Sequence, residues 1–362
     1  MNILPVLAID IAAAYIWLKF LQKRDTKNHL KRKVHWIALF FLGGIASSFL
    51  CLFIYDINIF VQFSGIDGAP ARFIEQLFYV APSEEIAKLL VFIILSTLFD
   101  TIREPFDAVA QAATVGLGFA IVENFTYGSL YGPWVCLYRS LLGTTGHMTY
   151  TAISGFSYGI TVYWYEYRKD PAWIALPFVG FVCAVFCHGL YNFFLDVDLF
   201  ILAIMLKTVV VVFLFKGLSS ASSLSPYRGY PLHEWKTALS RIHYGLKKDP
   251  DNCALHLRSG VYRAYSGSWD TALVSFKKAV RCPESTPVHR SYLEVALIAN
   301  GKAEQNTGLM EAWNSLSIPQ QKTFRTVISR LTGKNHQLQK HIFDTFDGKE
   351  VDLAPKARRY RK

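Results

Sequence analysis

Ala81-Pro82-Ser83-Glu84-Glu85-Ile86-Ala87-Lys88-Leu89-Leu90-Val91-Phe92-Ile93-Ile94-Leu95 decides how this chain is read. Its second half is wholly apolar, yet its start carries two glutamates and a lysine. In a soluble helix, Lys88 four residues from Glu84 and three from Glu85 is an ordinary ion-paired face. The surroundings change that reading. The apolar run covers 77–98, and six comparable runs occupy 3–21, 34–55, 108–128, 134–164, 172–195 and 198–216. Most are about 20 residues long, enough for a helix to span a hydrocarbon core of about 30 Å. The whole chain of 362 residues is 52% hydrophobic and only 18% charged, with a mean hydropathy of +0.24. That excludes a disordered protein and argues against an all-soluble enzyme.

The charges divide along the chain. Residues 1–217 hold 15 basic and 15 acidic side chains, so the net charge of +11 belongs to the remainder. The first apolar run has no basic residue ahead of it and positive charge behind it, which reads as an uncleaved span rather than a signal peptide. Lys23, Arg24, Lys27, Lys31, Arg32 and Lys33 follow span 1, Arg103 follows span 3, and Arg168 and Lys169 follow span 5. The opposite connections offer Arg72. The positive-inside rule therefore expects the N-terminus outside and the C-terminus in the cytoplasm of a bacterial-type inner membrane. Cys51, Cys183 and Cys187 fall within spans, Cys136 near the end of one, and Cys253 and Cys282 beyond them; no disulfide framework is visible.

Ser219 to Ser225 is Ser-rich, and 218–225 reads as a linker. Behind it a repeat emerges: Ala238, Leu239, Ile242 and Gly245 return 34 residues later as Ala272, Leu273, Phe276 and Ala279, and Gly267 returns as Gly301. That period, with Trp269 inside one unit and Pro250 closing the previous one, resembles tetratricopeptide helix pairs; an unrelated helical bundle is the alternative. The domain is expected over 226–346, with Phe324, Ile328 and Leu331 on one late helical face. Residues 347–362 form a basic tail containing Lys356, Arg358, Arg359, Arg361 and Lys362, suited to anionic lipid headgroups; no motif supports specific nucleic-acid binding.

Ionisable side chains within a bilayer cost roughly 2.5–3.5 kcal/mol on insertion scales, so each asks for a partner or a purpose. Here they cluster: Glu84, Glu85 and Lys88; Glu123 and Asn124 after Phe119; His147 after Gly146; and His188 with Asn192. Spans 3 and 5 run inward while 4 and 6 run outward, which puts all of them in the outer half of the membrane. Pro82 suits a helix start and sets Ala71–Val80 apart as an interfacial or re-entrant piece. Two acids side by side in low dielectric leave a base poised to activate water. His188 and Asn192, one turn apart, could steady an oxyanion. The same side chains could instead hold a divalent metal such as zinc, with Glu85, Glu123, His147 and His188 as the donor set, although no HExxH signature is present. Taken singly, a lone histidine is more often a packing group, Gly155-Phe156-Ser157-Tyr158-Gly159 a helix contact, and Asp10 a partner for a buried donor.

Together, Glu84-Glu85-x-x-Lys88, Phe119-x-x-x-Glu123-Asn124, His147 in a Gly-rich helix and His188-x-x-x-Asn192 resemble the four motifs of the PrsW family of intramembrane proteases, over roughly residues 70–195. That family is related to the CAAX prenyl endopeptidases and the bacterial CPBP proteins. The resemblance implies peptide-bond hydrolysis of a membrane-protein substrate, in a family that includes a site-1 protease acting on an anti-sigma factor. It also implies a water-activating role for Glu84 or Glu85 and an oxyanion role for His188 and Asn192. Motif two ends in Glu123-Asn124 where the CAAX enzymes place a histidine, so Glu123 and His147 are expected to orient or share the proton, with Lys88 and Asn124 supporting. The expected molecule is all-α: a polytopic bundle of about seven spans over 1–217, followed by a soluble helical-repeat domain that takes a protein partner. No cofactor is expected unless the metal reading holds. A non-catalytic membrane scaffold or a proton-coupled transporter is the alternative.

Overall fold

The computed structural model describes residues 3–24, 30–57, 68–168, 172–302 and 307–349. Among these the chain is helical throughout, without strands, and divides into two compact units, Met1–Ser225 and Pro226–Lys362. Lys27, Lys169 and the basic tail from 350 onward, on which part of the orientation and lipid reading rests, lie outside the described residues, as do the side chains of Arg24, Lys31, Arg32, Lys33 and Arg168.

The first unit contains α1 (Leu4–Arg24), α2 (Leu30–Ile57), α3 (Ala69–Glu75), a π turn (Gln76–Val80), α4 (Ala81–Leu98), α5 (Pro105–Tyr131), α6 (Pro133–Arg168), α7 (Ala172–Asp196) and α8 (Phe200–Ser223). Five of these, α1, α2, α5, α7 and α8, are long and apolar enough to cross a membrane. Neither α4, with Glu84, Glu85 and Lys88, nor α6, with Arg139, His147 and many hydroxyls, is uniformly apolar. The α1, α2, α7 and α8 helices leave large apolar side chains exposed, among them Ile11, Phe49, Phe186 and Phe213, whereas most of α5 is buried. Apolar residues facing outward around a buried central helix suit a surrounding of lipid tails.

Small residues let the helices reach α5. Gly44 on α2 meets Gly118 on α5 so closely that a Cβ on either would overlap the other helix's backbone, and Gly116 lies against the His147 carbonyl of α6. A single residue, Gly132, joins α5 to α6. Its φ of 101°, which favours glycine, reverses the chain. The antiparallel pairing continues from Gly128 beside Cys136 to Gly159 beside Ala108. At the other end of α5, Glu104 caps the helix ahead of Pro105, with Asp107 Oδ2 accepting from the Arg103 and Glu104 backbone N–H groups.

Two local expectations are corrected. Ala71–Val80 is not a separate piece, because helix continues from Ala69 through the π turn into α4. Pro82 lacks the N–H that would close an α turn onto Phe78, and the wider i→i+5 spacing, seen as Ala81 N–H to the Gln76 carbonyl, accommodates it without a break. The Ser-rich stretch 218–223 is helical, as the end of α8, because Leu218 and Ala221 are buried beside Leu21 and Phe106.

The second unit comprises α9 (Trp235–Lys248), α10 (Cys253–Tyr265), α11 (Trp269–Arg281), α12 (Pro287–Ala299), α13 (Thr307–Asn314), α14 (Ile318–Thr332) and α15 (His336–Phe346). Ala238 and Ile242 of α9 are buried, as are Ala272 and Phe276 at the equivalent places on α11. Gly267 and Gly301, also 34 apart, both adopt positive φ just past the ends of α10 and α12. Gly260 lets α10 close onto the Phe276 ring.

Candidate active site

The buried charges of α4, α5 and α6 among the described residues are held by neighbours on another helix or one turn away. Lys88 Nζ lies 3.0 Å from Glu84 Oε2 and 2.9 Å from Glu85 Oε1. The pairing read from the i, i+3 and i, i+4 spacing is present, with a fully buried ammonium between the two acids. The same Nζ is 2.9 Å from His147 Nδ1 and 3.9 Å above the Phe119 ring. A lysine ammonium only donates, so His147 Nδ1 accepts and its proton is on Nε2, 2.6 Å from Glu123 Oε2. Glu123 Oε1 in turn lies 2.6 Å from Arg139 Nη2.

The second imidazole is held in the same way. His188 Nδ1 lies 2.9 Å from Glu85 Oε1, a carboxylate oxygen that can only accept, so His188 donates from Nδ1 and turns Nε2 toward Glu84, 3.8 Å from Oε2. His147 Nδ1 is 3.7 Å from that same oxygen. Tyr150 stacks on the His188 ring at 4.8 Å between centroids, and the Tyr55 hydroxyl donates to Glu84 Oε1 at 3.2 Å. One donor atom each from Glu84, His147 and His188 therefore lie within 4.8 Å of one another, and all three side chains are buried. A carboxylate behind each imidazole, Glu123 for His147 and Glu85 for His188, fixes tautomer and orientation as in metal-binding histidines.

This geometry revises the donor set read from the sequence. Glu84 joins the two histidines, while Glu85 and Glu123 stand behind them. A cavity of about 690 Å³ opens beside the cluster, and Glu84, Glu123, His147, His188 and Asn192 line it; Glu85 and Lys88 do not. Successive helical residues are about 100° apart, so only one of two adjacent glutamates can face the cavity. The same rotation takes Asn124 away from Glu123: its amide donates to Thr144 Oγ1 at 2.8 Å, while Ser140, also beside Asn124, donates to Asp10 at 3.4 Å, which makes it a tie between helices.

Sequence reasoning missed Tyr55, Arg139, Tyr150, Tyr191 and Lys207, all of which line the cavity. Arg139 and Lys207 carried the signal that found the other charges, since both are ionisable residues inside apolar runs. The tyrosines carried none, because an aromatic in a span is ordinary.

A family model described as "PrsW family intramembrane metalloprotease" matches residues 32–218. The Protease PrsW of Geobacillus kaustophilus is 27% identical over 190 residues, covering 52% of this chain and 79% of its own length. That of Oceanobacillus iheyensis is 26% identical over 194 residues, covering 53% and 83%. That of Shouchella clausii is 29% identical over 113 residues, covering 31% and 50%. No solved structure matches.

Proposed function

Since this chain belongs to the PrsW family of intramembrane proteases, we propose that it hydrolyses a peptide bond of a membrane-protein substrate at the Glu84, His147 and His188 cluster. One observation carries the reading: from three helices, a carboxylate and two imidazoles, each with a second carboxylate behind it, bring one ligand atom apiece within 4.8 Å of one another beside a cavity large enough for a peptide segment.

The donor set fits a zinc ion, with Glu84, His147 and His188 as the residues that would hold it, His147 exchanging the Lys88 hydrogen bond at Nδ1 for the metal. When bound, such an ion supplies a Lewis acid for the peptide carbonyl and a more acidic bound water. The protein's own part is positional. Glu123 and Glu85 keep the imidazoles in their tautomers, Tyr55 and Lys88 fix the Glu84 carboxylate, and Asn192, one turn from His188, offers an amide donor to the oxyanion. A second reading, in which Glu84 activates water without a metal, is favoured by Lys88, whose Nζ already bonds Glu84, Glu85 and His147 Nδ1 together.

The remainder of the proposal follows the sequence. The α4 and α6 helices add two spans to the five, in a multi-pass protein of the cytoplasmic membrane with its N-terminus outside. The second unit is a cytoplasmic tetratricopeptide-like adaptor for a protein partner, supported by the 34-residue recurrence of Gly267 and Gly301. The substrate class is an anti-sigma-factor-like regulator, and the tail favours anionic headgroups.

The test is cleavage of a single-span reporter by the full chain in proteoliposomes. Glu84→Gln is expected to abolish it. Loss on chelation with recovery on zinc selects the metal reading, and indifference to chelation selects the second; full activity of Glu84→Gln removes both.

A further inference from the structure

Three cations reach the buried site, and two have acids. Lys88 pairs with Glu84 and Glu85, and Arg139 with Glu123. Lys207 of α8 differs. Its side chain is 5% exposed and lines the cavity, yet among the described residues no carboxylate lies within ion-pair distance of its Nζ. An ammonium without a counter-charge inside an apolar helix is costly on insertion, and retained ones mark ligand pathways.

The surroundings of Lys207 are built to hold the charge and leave it available. Its Nζ fills the notch at Gly146, where any Cβ would collide with it. It lies 3.8 Å from the Tyr191 ring centroid and 5.1 Å from that of Tyr150, and it donates to the Tyr150 hydroxyl at 3.4 Å. The ring faces steady a cation without neutralising it. An ammonium has three N–H donors, and one is used here. No hydrogen bond connects Lys207 to Glu84, His147 or His188; Tyr150, stacked on His188, stands between.

We propose that Lys207 is a specificity-determining residue that receives a carboxylate of the polypeptide substrate, either an Asp or Glu side chain near the cut bond or a free chain end. The inference rests on the proteolytic reading. Carboxylate is the matching chemistry because a charge-assisted hydrogen bond in a water-poor cavity would supply the missing counter-charge. A neutral group would leave the ammonium unpaired.

Binding separates this inference from hydrolysis. The full-length Glu84→Gln protein in liposomes is titrated with single-span peptides in which Asp or Asn is walked through the segment, each with a free or amidated C-terminus. At one position the Asp peptide is expected to bind about tenfold more tightly than the Asn peptide, a difference of ~1.4 kcal/mol. The advantage should vanish in Lys207→Gln and persist in Lys207→Arg. An advantage that follows the free C-terminus instead identifies the chain end as the source. Absence of charge preference at every position, or a preference that survives Lys207→Gln, overturns the inference. In the otherwise unaltered enzyme, Lys207→Gln should raise KM for the preferred peptide more than it lowers kcat; a fall in kcat alone contradicts a recognition role. Charge-selective binding without cleavage by the unaltered protein would remove the proteolytic reading and overturn the substrate-specificity role, leaving Lys207 as a carboxylate-binding group only.

Discussion

Replacing Glu123 by Gln changes one atom and one charge, and the structure says why that should be worse than the same change at Glu85. Glu123 has a charged or polar neighbour at each oxygen, His147 Nε2 2.6 Å from Oε2 and Arg139 Nη2 2.6 Å from Oε1. An amide can offer its oxygen to one of them. If the oxygen faces His147, the NH2 group points at the Arg139 guanidinium; if it faces Arg139, the NH2 meets His147 N–H. The imidazole could escape only by moving its proton to Nδ1, which then meets Lys88 Nζ at 2.9 Å. Every arrangement leaves two donors opposed. Glu85 accepts from Lys88 and His188 through the single oxygen Oε1, while its Oε2 is buried with no hydrogen-bond partner, so a glutamine there can keep both bonds. A charge-assisted hydrogen bond contributes about 1.5–3 kcal/mol against about 0.5–1.5 for a neutral one. Glu85→Gln should therefore lower kcat by about tenfold, and Glu123→Gln, which also leaves opposed donors, by about 100-fold, within the range for carboxylates behind metal-bound histidines. Single-turnover cleavage in proteoliposomes, with zinc titrated and folding checked by gel filtration, measures both. Equal rates for Glu123→Gln and the unaltered enzyme, or Glu85→Gln as the more damaged of the two, would refute the tautomer assignment.

Gly118→Val should drive the side chain into the α2 backbone at Phe41 and Gly44, destabilising the first unit by about 1–3 kcal/mol, read as a lower thermal midpoint in detergent. Burial holds the His289 imidazole below its ordinary pKa, and its Nδ1 accepts from the Thr286 N–H at the start of α12, a bond that protonation removes. The unfolded chain then binds the proton more readily. The second unit should keep this contribution above about pH 6.5 and lose it as pH falls toward the depressed folded value, and His289→Gln should flatten that part of the melting profile.

The charged motifs were legible because an ionisable residue in an apolar run is expensive enough to stand out in one dimension. Glu84, Glu123, His147 and His188, all singled out on that ground, line the cavity. Which neighbour faces inward was not legible. Glu84 against Glu85, and Glu123 against Asn124, differ by one helical step, and only the packing of α4 and α5 sets the rotation. Tautomers were equally hidden, since they follow from Lys88 reaching His147 across 59 residues and Glu85 reaching His188 across 103. The π turn escaped because Pro82 also suits a helix start, and the strain it introduces is relieved within a continuing helix. In the second unit the 34-residue period was visible because Ala238, Ile242, Ala272 and Phe276 are core positions, where side-chain size is constrained.

The central claim is that Glu84 and His188, 104 positions apart, act as parts of one hydrolytic centre, and a double-mutant cycle on kcat tests it most directly. Groups that work as a unit lose their effect together. Glu84→Gln, His188→Ala and the double variant should therefore fall to the same residual rate. If the double variant loses the product of the two single losses, or if either single variant keeps its activity, the two side chains do not share a reaction.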